Sequence, residues 1–112
     1  METKSLSEST ICCFGDSTTW GDNGCGAGGN DISWTSHLGA LLGGAVVENF
    51  GIKGSRIAIK ADRTDSFVER LDGIDDAADI YIVFGGVNDF SRNVPLGELG
   101  STDVHEFYGA LD

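Results

Sequence analysis

The chain has 112 residues, 40% hydrophobic and 22% charged, which allows one small globular core and argues against a disordered acidic tail. Asp and Glu number 18 against 7 Lys and Arg, a formal charge of -11 that opposes phosphate backbones and anionic lipid surfaces. Nucleic acid is thereby excluded as a natural partner, and the acidity reads as a solvated surface.

The opening from Met1 to Thr10 is polar and lacks the apolar core of a signal peptide, and no later run has the length to cross a bilayer. A cytoplasmic location without a membrane span is expected. Thr10 to Phe14 is a short apolar run ending at Gly15-Asp16, the pattern of a buried strand in a parallel sheet. Cys12 and Cys13 are neighbours on that strand and face opposite sides, and Cys25 has no CxxC partner, so neither a disulfide framework nor a zinc site is expected. Trp20 to Asn30 is glycine-rich with Asp22 and Asn23, a long loop by composition.

Asp31 or Ser33 can cap a helix whose apolar positions Trp34, Leu38, Leu41 and Leu42 share one face, before Gly43-Gly44 stops it. Ala45 to Phe50 reads as the second strand, followed by a polar loop through Lys53-Gly54-Ser55-Arg56. Asp65 to Ile74 places Phe67, Leu71 and Ile74 on a helical stripe capped by Asp65 or Ser66, with Ile57 to Asp62 as a candidate extension. Ile80 to Phe84 is a continuous apolar run, read as a central strand covered on both faces, and it ends in Gly85-Gly86-Val87-Asn88-Asp89. After Pro95, Val104, Phe107, Tyr108 and Leu111 predict a last helix beginning near Ser101.

Alternating strands and helices specify an α/β layer with a parallel sheet, since each crossover helix returns the chain to the same end. The three strand C-termini then share the edge where open α/β sheets bind ligands. On the loops that leave it sit Gly15-Asp16-Ser17-Thr18, Asn49-Phe50-Gly51-Ile52-Lys53-Gly54 and Gly85-Gly86-Val87-Asn88-Asp89.

These three blocks, in this order, resemble those of the SGNH (GDSL-type) hydrolases: Gly-Asp-Ser, then a contributed glycine, then Gly-x-Asn-Asp. The likeness runs from Thr10 to Asp112 as one domain, 1–112, the N-terminal part of such a fold. It implies a three-layer, flavodoxin-like α/β fold and hydrolysis of acyl or acetyl esters through an acyl-enzyme on Ser17. The oxyanion hole would be formed by the backbone N–H groups of Ser17 and Gly54 and the side-chain amide of Asn88. Asp16 and Asp89 are expected to hold their loops in shape. No cofactor or metal is required by this chemistry, and the partner is a small-molecule ester.

The same resemblance implies a late Asp-x-x-His block supplying the general base and its orienting acid, and these residues contain no such spacing. His37 falls within the first long helix, and His105 falls near the start of the last, off its apolar stripe; neither carries the motif. The chain therefore reads as an incomplete domain with impaired catalysis. Its third strand, lacking a neighbour, is expected to expose an apolar edge that self-associates or takes a completing C-terminal partner. Two other classes stand beside the hydrolase: a non-catalytic remnant that keeps the fold as a binding or structural module, and a nucleotide-binding module suggested by Gly24-Cys25-Gly26-Ala27-Gly28-Gly29. The second is disfavoured because this glycine spacing does not follow a strand directly, and Asp22 and Asp31 would repel a pyrophosphate.

Overall fold

A computed structural model describes residues 5–112; Met1–Lys4, part of the polar opening on which the cytoplasmic expectation rests, lie outside the described residues. These residues form two compact units. The first runs through Lys53 and resumes at Ile74–Phe84; the second comprises Gly54–Gly73 and Gly85–Asp112.

The first unit holds β1 (Thr10–Gly15), α1 (Ser17–Trp20), α2 (Trp34–Leu41), β2 (Val46–Gly51) and β3 (Ile80–Phe84). The three strands make one parallel sheet in the order β2-β1-β3. Register pairs Ile11 with Val47 and Ile80, and Cys13 with Asn49 and Ile82, so these residues share a face. On it Ile11, Cys13 and Ala45 form the buried core, packed by Trp34, Leu38 and Leu42 together with Val47, Ile80 and Ile82. Ser33 starts α2 by accepting from Thr35 N–H, choosing between the two expected caps. All three cysteines are free thiols, Cys12 and Cys13 buried and Cys25 exposed.

The expectation of a central third strand is corrected. The central strand is β1, paired on both sides, whereas among the described residues β3 has β1 alone as neighbour and leaves Tyr81 43%, Val83 60% and Phe84 47% exposed. A continuous apolar run signals a strand suited to two covered faces, but how many neighbours it has is set by sheet order.

The second unit holds α3 (Phe67–Arg70), α4 (Val87–Ser91) and α5 (Phe107–Leu111). Ser66 caps α3 through a full capping box with Glu69, but only one turn follows before a 3-10 turn over Leu71–Gly73, since Asp72 and Gly73 are poor helix formers. Ile57 to Asp62 is not helical. The N–H groups of Ile57 and Ala58 donate to the Asp89 carboxylate, and that of Ile59 to the Val104 carbonyl. The last helix begins at Phe107, not near Ser101. Ahead of it Asp103 accepts from His105 N–H and Ser101 from Asp103 N–H, local bonds that compete with helix formation.

Candidate active site

In the first unit the turn after β1 is built around Asp16. This carboxylate is buried, 2% exposed, and its Oδ1 accepts from Thr18 N–H at 3.1 Å, so Asp16 is the cap of α1. Ser17 is therefore not needed as a turn cap. It is half-buried, and among the described residues its hydroxyl has no hydrogen-bond partner. Its carbonyl accepts from Gly21 N–H and Asp22 N–H at 2.9 and 3.0 Å, closing the single turn that presents it.

The α1 turn is fastened to the end of β2 by a residue the motif comparison did not single out. Asn49 Oδ1 accepts from Gly51 N–H at 2.8 Å, while its Nδ2 reaches the Thr19 carbonyl at 2.7 Å, Asn30 Oδ1 at 2.9 Å and Thr35 Oγ1 at 3.1 Å. Ser33 Oγ donates to the same Thr19 carbonyl at 2.6 Å. The available signal was an amide within a strand, beside Glu48 and between Val47 and Phe50, since a part-buried amide of that kind must be hydrogen-bonded.

In the second unit Gly54 adopts φ 79°, a backbone conformation that calls for glycine; a Cβ there would meet only the mobile end of the Arg63 side chain, 2.6 Å from Nη1. Asn88, on α4, donates through Nδ2 to the Ser55 carbonyl at 2.9 Å, which uses one of its two amide protons. Its neighbour Asp89 is buried, 2% exposed, and accepts from Ile57 N–H at 2.9 Å and Ala58 N–H at 3.0 Å. The Asn88 and Asp89 side chains thus both bind backbone from residues 55–58.

Ser55 itself is anchored. Its hydroxyl donates to the Asp65 carbonyl at 2.6 Å and accepts from Arg70 Nη2 at 2.9 Å. The Arg63 guanidinium beside Asp65 holds that carboxyl below its usual range, and Arg56, 5% exposed, does the same to Asp62. An open, mainly apolar cleft of about 480 Å³ is lined by Gly86, Asp89, Phe90, Asn93, Val94, Leu96 and Phe107.

Neither histidine gains support. His37 is exposed on α2. His105 is exposed and lies ahead of α5 in a turn, with Nδ1 3.0 Å from Asp103 Oδ1; the His105 backbone N–H, then its ring, hold the Asp103 carboxyl below the usual range. Among the described residues no group of three or more His, Cys, Asp or Glu is arranged to hold a metal ion, and no helix is long and apolar enough to cross a membrane.

The glycine spacing at Gly24–Gly29 does not form a phosphate cradle. It lies in a small hairpin after α1, where Asp22 Oδ1 already accepts from Gly24 N–H and Asn23 Oδ1 from Cys25 and Ala27 N–H. A carboxylate stands where a phosphate would need free donors.

The sequence pattern of the GDSL-like lipase/acylhydrolase family matches residues 13–111. The chain belongs to this family. As a GDSL-like chain it superposes on a crystal structure 95% identical to it, with a TM-score of 0.94 over 96% of this chain and 49% of that one. A crystal structure of a Lactobacillus plantarum protein is 36% identical, TM-score 0.76, covering 95% of this chain and 47% of that one. A carbohydrate acetylesterase family member from Sinorhizobium meliloti is 30% identical, TM-score 0.64, covering 73% of this chain and 43% of that one. The chain spans about half the length of these solved relatives. Among curated proteins none matches.

Proposed function

We propose that this chain carries the nucleophile and oxyanion-hole part of a serine ester hydrolase. Ser17 attacks the carbonyl of a small acyl or acetyl ester, and the backbone N–H groups of Ser17 and Gly54 with the Asn88 amide receive the negative oxygen of the tetrahedral intermediate. One observation carries the reading: Asp16 caps the turn after β1, which leaves the Ser17 hydroxyl unengaged among the described residues. An idle, half-buried hydroxyl at the C-terminal end of a central parallel strand is suited to nucleophilic catalysis. Asp89 and Ser55 support it by fixing Asn88 with one amide proton to spare.

The Ser17 proton needs a base, and on this reading it comes from the half of the relatives' length that this chain does not span, seated on the exposed β3 edge. Without the base the hole and binding alone sustain about 10³- to 10⁴-fold acceleration over water. The test is a serine-reactive phosphonate probe with a short-chain aryl ester. With imidazole added as an external base, labelling at Ser17, absent in Ser17→Ala, with ester turnover near background is expected. No labelling even with imidazole, or labelling that survives Ser17→Ala, would refute the assignment and favour a non-catalytic remnant.

A further inference from the structure

The glycine-rich segment that makes no phosphate cradle has a different architecture. Residues 21–29 fold back on themselves: Asp22 bridges Gly28, Gly29 N–H donates to the Gly21 carbonyl at 3.0 Å, and Asn23 N–H to the Ala27 carbonyl at 2.9 Å. The two arms approach so closely that a Cβ on Gly21 would lie 2.1 Å from the Gly29 carbonyl oxygen, and one on Gly28 2.0 Å from that of Gly21. This strap is rooted on the nucleophile turn itself, since Gly21 and Asp22 both donate to the Ser17 carbonyl. From Asn23 to Ala27 it is exposed and buries no large side chain, so its own packing does little to hold it in place.

One side chain reaches it from the end of β2. Lys53 Nζ sits 4.8 Å from the centre of the Trp20 ring at the last position of α1, 3.6 Å from Asp22 Oδ2 and 3.3 Å from the Gly26 carbonyl oxygen. A single cation thus touches the end of the nucleophile turn, the root of the strap and its tip. We infer that Lys53 is a positioning residue that latches the strap of residues 21–29 to α1 and so fixes the wall beside Ser17. The last clause rests on Ser17 being the nucleophile; the latch does not. The ion pair is partly exposed, with the Lys53 and Asp22 side chains 37% and 26% accessible, so it is salt-sensitive and holds the strap reversibly.

The experiment uses the full chain with Lys53→Met, Lys53→Arg and Ser17→Ala, measuring amide exchange at Asn23 and Gly29 in low and high salt. Losing an exposed ion pair and a cation–π contact shifts such an opening equilibrium by about 3- to 10-fold. Lys53→Met should speed exchange at these two amides by that factor and leave the β1 amides unchanged. Lys53→Arg should restore slow exchange, and added salt should speed the wild type but not Lys53→Met. Unchanged strap exchange in Lys53→Met overturns the latch, and so does faster exchange spread through β1, which would mark a general structural role. Phosphonate labelling of Ser17 should slow in Lys53→Met and recover in Lys53→Arg; a freed strap with unaltered labelling overturns the positioning role. A wild type that never labels, with exchange as expected in all variants including Ser17→Ala, would sink the hydrolase reading and leave the latch standing.

Discussion

Replacing Asp89 by Asn tests whether a buried carboxylate of the third block sustains the segment that follows the second. Asp89 is 2% exposed and accepts two backbone N–H groups, from Ile57 at 2.9 Å and Ala58 at 3.0 Å. Asn keeps one acceptor oxygen and turns an NH₂ group toward the other donor, so one charge-assisted bond is lost, the other loses its charge, and one buried N–H is orphaned. Hydrogen bonds to charged groups contribute about 1.5 to 3 kcal/mol each and an unsatisfied buried donor costs about 1 to 3, which together give roughly 3 to 5 kcal/mol. Against a total stability of about 5 to 15 kcal/mol for a chain of this size, that is a large fraction. The Tm should fall by roughly 12 to 25 °C. Thermal and urea unfolding followed by far-UV circular dichroism measure this, with amide exchange at Ile57 and Ala58 reporting the local loss. An Asp89→Asn chain within about 0.5 kcal/mol of the wild type would refute the reasoning, because that is the scale of a surface change.

Gly51→Ala should destabilise by about 1 to 3 kcal/mol in urea unfolding, because the new Cβ would lie 2.2 Å from the Trp20 backbone nitrogen, which cannot rotate away; Gly73→Ala, with nothing within 4 Å, is the near-neutral control. Burial, then the neighbouring Cys12, push the Cys13 thiol from 9.0 up to about 11. A folded pKa above the unfolded one means that this contribution is fully present below about pH 9 and is lost as pH rises through about 11. The urea midpoint should therefore fall over that window, and Cys13→Ala should flatten the decline; an equally steep decline in Cys13→Ala would remove Cys13 as its source.

The local signals in this sequence were reliable where neighbours along the chain decide the outcome. Apolar runs placed β1, β2 and β3 within a residue or so, and Ser33 and Ser66 cap helices as their positions suggest. Family membership was also legible, because the Gly-Asp-Ser and Gly-x-Asn-Asp blocks are short and contiguous. The extent of α2 was legible too, whereas the lengths of α3 and α5 were not. The last helix shrank because Ser101 and Asp103 side chains take backbone donors ahead of Phe107, a competition that periodicity does not register.

Partners distant in the chain belonged to the tertiary structure alone. Asp89 binds amides 31 and 32 residues away, and Asn49 joins β2 to Thr19 and to Thr35. Sheet order made β1 central and β3 an edge, although the two read alike as apolar runs. The physical reason is the same throughout: propensity and periodicity act over a turn or a strand, whereas which donor meets a buried carboxylate, and which strand gains a second neighbour, depend on how the elements fold back on one another. The same holds for the glycine-rich stretch, in sequence a weak nucleotide motif and in the fold a strap closed by one lysine.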